Sequence, residues 1–309
     1  MMISMLSIRT RRYGLLLLTL GLLGAALSAG ATALDPALIG KAAGTTAKAQ
    51  PDGAVKIGWM RTDVAVTVDG MHLSPAAGLG SWAAFTPMGN GAMVMGDTVV
   101  FQDEVDAAMD AAFAHGLHVT ALHNHFFYDQ PKVYFMHIGG QGSPEQLAAG
   151  VKAVWDAIKA VRAAHAQPAD GFGGKTPAPG ALDAQAIAKL IGHPAPVTDG
   201  VAKVTIGIQG KMHGQTIGAS AGLTTWAAFS GGDEWAAIDG DFIMRGEEVR
   251  PVLIALRKAG IHIVALHNHM IGESPNLYFT HFWGKGSAAD LARGFRAALD
   301  AQASSAPPK

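Results

Sequence analysis

Apolar and polar positions along the chain change period several times, and each change marks an element. Val201 to Ile208 is β-branched and alternating, which predicts a strand. Thr224 to Phe229 and Trp235 to Met244 predict two more, joined by a Gly-Gly-Asp turn. The period then becomes helical: Val249, Val252, Leu253 and Leu256 line one face of Glu247 to Lys258, and Gly260 supplies a natural stop. Ile261 to His269 and Leu277 to Trp283 predict strands, and Ser287 caps a last helix over Ala288 to Gln302. An earlier helix is predicted over Asp103 to Ala114, ending near Gly116.

The pattern occurs twice. Gly78 to Phe85 matches Gly222 to Phe229 at an offset of 144 residues. At that offset Ala121-Leu122-His123-Asn124-His125 matches Ala265-Leu266-His267-Asn268-His269, and Tyr134 to His137 matches Tyr278 to His281. Residues 115–143 and 259–287 share 14 identities in 29 positions, far above chance, so the chain carries a duplication. Upstream, Leu34-Asp35 matches Leu182-Asp183 with small length changes. The expected organisation is a signal peptide over 1–33, repeat 1 over 34–164, an Ala/Pro/Gly linker over 165–181, repeat 2 over 182–303, and a disordered tail over 304–309. Each repeat reads as helix, several strands, helix, two strands, helix. Runs of adjacent strands predict an α+β fold: a mainly antiparallel sheet with helices on one face, the two repeats packing as a pseudo-dimer.

Composition narrows the possibilities. The 309 residues are 49% hydrophobic and 15% charged, with a formal net charge of −1, which suits a packed core and offers no basic face for nucleic acid. Cysteine is absent, which excludes disulfides, thiolate metal sites, a cysteine nucleophile and a cysteine-borne lipid anchor. Arg9, Arg11 and Arg12 precede an apolar run from Leu15 to Leu27 and small residues at Ala29 to Ala33, the layout of a secretory signal peptide. The run is short for a spanning helix, and no later segment is apolar for long enough. Thr10 to Leu15 partly fits a twin-arginine signal, so a Sec or twin-arginine route to the periplasm or exterior is expected. Gly174-Lys175-Thr176 resembles the end of a phosphate loop, but position 169 is Ala where that motif needs Gly.

The chemistry concentrates in histidine. On an alternating strand His267 and His269 face one way, with Ile261, Ile263 and Ala265, while His262 and Asn268 face the other. If the next strand pairs as a hairpin, His281 joins them. The first copy repeats this with His123, His125 and His137. Three neutral imidazoles with an open position suit zinc, copper, iron or nickel. Asp129 and Glu273, four residues past the second histidine, are candidate further ligands, against the plainer reading of loop acids. Glu104 and Glu248 are candidate general bases, against the plainer reading of acids favoured at a helix N-terminus. His118 and His262 are expected to be structural, and Trp82, Trp226, Phe85 and Phe229 to pack the core.

Ala-Leu-His-Asn-His, the Pro and Tyr-Phe-x-His segment, Gly-Leu-x-x-Trp-Ala-Ala-Phe, and Gly-Asp with Glu-Val downstream together resemble the LppY/LpqO family of exported bacterial proteins. The resemblance covers nearly all of the chain beyond the leader, in both copies. It implies export and a domain without an established function; lacking cysteine, this chain departs from the lipoprotein members. A weaker similarity to cupins rests on His267-x-His269-x-x-x-Glu273 and His281. The predicted helix over Glu247 to Lys258 interrupts the barrel that a cupin requires. Three functions remain open: a metal-binding protein or small-ligand binder, a metal-dependent hydrolase or oxygenase, and a non-catalytic scaffold whose histidines only hydrogen-bond. The oligomeric state is open too.

Overall fold

The computed structural model describes residues 32–305. The expected signal peptide lies outside the described residues but for Thr32 and Ala33, and the tail but for Ser304 and Ser305. Copy one runs α1 (Pro36–Ala43), β1 (Lys48–Ala49), β2 (Val55–Met60), β3 (Thr67–Val68), β4 (Met71–His72), β5 (Gly80–Met88), β6 (Gly91–Phe101), α2 (Val105–Ala114), β7 (His118–His123), β8 (Asp129–Gln130), β9 (Val133–Gly142) and α3 (Pro144–Ala164). Copy two repeats that order: α4 (Ala184–Ile191), β10 (Val197–Thr198), β11 (Val201–Gly207), β12 (Gly210–Met212), β13 (Gln215–Ile217), β14 (Thr224–Gly232), β15 (Trp235–Met244), α5 (Gly246–Lys258), β16 (His262–His267), β17 (Glu273–Ser274), β18 (Tyr278–Gly286) and α6 (Ala288–Ser305). The last helix thus takes in Ser304 and Ser305, two residues expected to begin the tail.

The leading Leu-Asp of each copy is a helix start. Asp35 accepts from Ala37 N, and Asp183 from Gln185 N and Ala186 N, satisfying amides that the first turn leaves free. Gly44 and Gly192 close these helices in the left-handed conformation.

Twelve strands form one antiparallel sheet in the order β1-β2-β5-β6-β9-β7-β16-β18-β15-β14-β11-β10, the second half mirroring the first. The copies meet at its centre, where Leu122 on β7 pairs with Leu266 on β16. Two three-stranded flaps, β4-β3-β8 and β13-β12-β17, complete the copies. The sheet is open, with β1 and β10 as its edges, so the barrel that a cupin requires is not formed.

The largest core joins Val94, Val100, Leu122, Met136 and Ile138 to residues of α1, α2 and α3, and continues through Leu266 and Phe282 to α4, α5 and α6. The alternate residues of the same strands, Val99, Phe101, Val133 and Phe135, belong to a second core under the flap of copy one. Ile243, Leu277 and Phe279 do the same in copy two. Between the copies, Arg257 on α5 bonds to Asp106 and Asp110 on α2, and Arg250 donates to the carbonyls of Phe113 and Leu117.

The linker carries no helix or strand, yet it is fastened at several points. Ala169 N donates to Asp103, the Phe172 ring stacks on His262 at 3.8 Å, and Trp235 Nε1 donates to the Lys175 carbonyl at 2.8 Å. The Gly174-Lys175-Thr176 stretch therefore serves as part of a strap.

Candidate metal centre

The alternation expected along Ile261 to His269 is broken. A β-bulge between Ile263 and Ala265 inserts Val264, and β16 ends at His267, leaving His269 in the following turn. Ile263 and Leu266 both enter the main core. In a regular, unbulged strand Ile263 and His267 would share a face, and His267 would be driven into that core. The bulge turns it to the opposite side, the re-aiming that bulges perform. The same irregularity sits between Val119 and Ala121 in β7 and turns His123 outward. The expectation that Ile261 and Ile263 face with the histidines is thus corrected by one inserted residue per copy.

On that opposite face, register brings a row of side chains together. Trp226 on β14 pairs with Asp241 on β15, Asp241 with His281 on β18, and His281 with Ala265 on β16. The row in copy one is Trp82, Asp97, His137 and Ala121. A lysine ammonium covers each indole, Lys203 over Trp226 at 4.0 Å and Lys56 over Trp82 at 4.7 Å. The tryptophans are therefore half-buried in this row and belong to none of the core clusters, which corrects the expectation that they pack the core; Phe85 and Phe229 do belong to it.

His267, His269 and His281 each offer a ring nitrogen, and these atoms all lie within 4.8 Å of one another. Nitrogens bound to one tetrahedral zinc at about 2.0–2.1 Å stand roughly 3.4 Å apart, so small rotations suffice to close on an ion. The ring protons are already placed. His267 Nδ1 donates to the Asn268 carbonyl and His281 Nδ1 to the Gly240 carbonyl, each at 3.2 Å. A carbonyl only accepts, so each Nε2 is left with its lone pair, the outer support that ligating histidines use. His269 stacks on Phe279 with ring centroids 3.4 Å apart. Burial, then the charges of His267 and His281, hold its pKa below the ordinary histidine value and favour the neutral ring that a metal needs.

Copy one is arranged differently. His123 Nδ1 donates to the Asn124 carbonyl, which makes its Nε2 the acceptor of a 3.0 Å bond from His137 Nε2. His125 stacks on Phe135, and burial lowers its pKa first, opposed by Asp97. Among the described residues, the threefold grouping within 4.8 Å is that of copy two.

A family model matches residues 37–157 and again 185–301. The chain belongs to the family described as Domain of Unknown Function (DUF1259). No curated protein matches it. Among solved structures, a trimeric bacterial microcompartment shell protein, PduB, is similar over 82% of this chain and 89% of that one, at 12% identity and a TM-score of 0.20. A likeness at that level bears on neither fold nor function. Both histidine rows fall inside the two DUF1259 matches, as do Asp97, Glu104 and Asp129 in the first and Asp241, Glu248 and Glu273 in the second.

The acids proposed from sequence are engaged elsewhere. Asp129 accepts from Val133 N at 2.7 Å and from Lys132, and Glu273 accepts from Leu277 N at 3.0 Å. Each thereby pins the loop between its histidine strand and the next, and neither belongs to the threefold grouping. Glu104 is fully buried under a bidentate Arg61 and a second pair with Arg162 at 2.7 Å. Glu248 accepts from Arg245 N and from Gln302, a cap on α5. His262 bonds to Asp106, away from the cluster, as expected of a structural histidine.

Asp97 and Asp241 stand across the ladder from His137 and His281, a placement that spacing along the sequence does not show. Their signal was the Gly-Asp pair in each copy. A Cβ on Gly240 would stand 2.3 Å from both Phe282 Cζ and the Trp226 carbonyl oxygen, and one on Gly96 would stand 2.8 Å from the Trp82 carbonyl oxygen. Only glycine permits the strand approach that sets the aspartate opposite its histidine.

Proposed function

We propose that the protein binds a divalent transition metal through His267, His269 and His281, with His123, His125 and His137 as the matching set of copy one. The observation that carries this reading is the convergence of three ring nitrogens within 4.8 Å, two of them with the proton held on the far nitrogen by a carbonyl. Zinc, copper, iron and nickel all accept imidazole. A panel of these ions should raise the melting temperature of dialysed protein, because an ion that binds only the folded chain adds RT ln(1 + [L]/Kd) to its stability. No shift with any ion would refute the reading.

A metal-dependent enzyme is the second reading. His269 is exposed and the other two rings are half-buried, so an ion there would keep a face toward solvent for water or a substrate. A general base is not assigned to Glu104 or Glu248, whose carboxylates are already bonded.

The proposal extends to architecture and location. All six helices contribute to one core and both histidine sets belong to the alternate positions, which supports helices on one sheet face and the sets together on the other. The mirrored strand order supports a pseudo-dimer of repeats. The leader-like N-terminus and the LppY/LpqO resemblance support export to the periplasm or exterior. No described helix is long and apolar enough to cross a membrane.

A further inference from the structure

Asp241 is 3% exposed, and its Oδ1 is buried without a hydrogen-bond donor among the described residues. Asp97, at 8%, has the same orphaned oxygen at the matching position of copy one. A buried carboxylate oxygen with no donor is costly, and such a group calls for a physical explanation. Two copies that have diverged at half the positions around their histidines both retain it.

The surroundings specify the explanation. Asp241 stands directly across the ladder from His281, and its other oxygen, Oδ2, lies 3.4 Å from His269 Nε2. In copy one, Asp97 stands across from His137, with Oδ1 at 3.9 Å from His137 Nε2, too far for a hydrogen bond. A carboxylate that served only to orient His269 would use Oδ2 and leave Oδ1 orphaned. Asp241 lies just outside the threefold grouping, against His269, so a cation held by the three imidazoles would give this buried carboxylate the partner it lacks after a small side-chain adjustment.

We infer that Asp241 is a fourth protein ligand of this centre, its carboxylate completing a three-histidine, one-aspartate set for a divalent cation, and that Asp97 does the same in copy one. The inference rests on the metal-binding reading above and narrows it. Three nitrogens and one hard oxygen favour zinc, cobalt, iron(II) or manganese over copper(I), which prefers sulfur. One carboxylate also halves the ion's charge, which suits a partly buried position.

The test uses the chain with the first-copy pair replaced (H123A/H125A), so that one site is read. Zinc affinity is measured by calorimetry and cobalt(II) by its visible absorption, for this chain and for its Asp241→Asn form. The inference expects a loss of zinc affinity of at least tenfold and an altered cobalt spectrum. It also expects a metal-free melting temperature equal to or above the parent's, because an uncompensated buried charge is removed. Affinity within threefold of the parent, with an unchanged cobalt spectrum, would overturn it and leave the three-histidine reading standing. A parent that takes up neither ion overturns both. Should Asp241→Asn fail to fold, the carboxylate infrared bands of the parent decide: a zinc-dependent shift supports ligation, and identical bands with zinc bound overturn it.

Discussion

His281 sits directly opposite Asp241 in the β15–β18 ladder, and its Nδ1 donates to the carbonyl of Gly240, the residue before that aspartate. One strand therefore supplies both the support that fixes the imidazole proton and the acid beside it. The relationship depends on glycine at position 240, where a Cβ would meet a ring carbon and a carbonyl oxygen at 2.3 Å.

Gly240→Ala should accordingly damage fold and site together. Overpacking of this kind costs about 1–3 kcal/mol, and the backbone oxygen gives way less readily than a side chain. A fall in melting temperature, with weaker zinc binding in the protein that remains folded, is the expected result. Calorimetry at a temperature well below the transition checks it.

Replacing any one of His267, His269 and His281 by Ala should weaken zinc binding beyond the ~10–100-fold typical of losing an outer-shell partner. The metal-free melting temperature should change little, because these rings are half-buried or exposed. If stability falls while zinc binding persists, the histidines are scaffold groups.

The two helix-leading glutamates should behave differently. Glu104→Ala removes the buried carboxylate that pairs with Arg61, 1% exposed, and leaves that guanidinium only the part-exposed Asp63; breaking a buried pair costs about 3–5 kcal/mol. Glu248→Ala removes a helix-capping bond and a bond from Gln302, at a cost of about 1–2 kcal/mol. Denaturant unfolding of the two variants, with zinc stoichiometry unchanged in each, is the check.

Asp63 gives a pH signature. Burial works to raise its pKa, but the bidentate Arg61 guanidinium outweighs burial and holds it below the ordinary carboxylate value. A folded-state pKa below the unfolded one contributes stability above about pH 4 that is lost as pH falls through the folded value. Asp63→Asn should lower the melting temperature at neutral pH, and the difference should close as pH falls through the lowered folded-state value. A difference independent of pH would contradict the ion pair.

Much of this was legible in the chain. The 144-residue offset exposed the duplication, and period changes located α5, β15 and β18 to within a few residues. The histidine trio was found from spacing, but for an incomplete reason. Strict alternation placed His267 with Ile263, whereas a bulge at Val264 separates them, and a bulge has no periodic signature. Asp129 and Glu273 drew attention by proximity in sequence, yet a loop acid four residues before a free amide is placed to bond that amide. Asp97 and Asp241 lie 40 residues before His137 and His281, and only the pairing of β6 with β9 and of β15 with β18 brings them opposite those histidines. The fastening of the linker was hidden for the same reason, since its partners Asp103, Trp235 and His262 are distant in sequence.

The most direct test of the central claim is metal content after reconstitution. Purified chain, stripped with a chelator, is incubated with zinc, dialysed, and analysed by elemental mass spectrometry beside a His267→Ala/His269→Ala/His281→Ala variant shown to be folded. Zinc retained by the parent and lost from the second copy's site in the variant is the predicted result. Equal zinc in both, or none in the parent, would contradict the account.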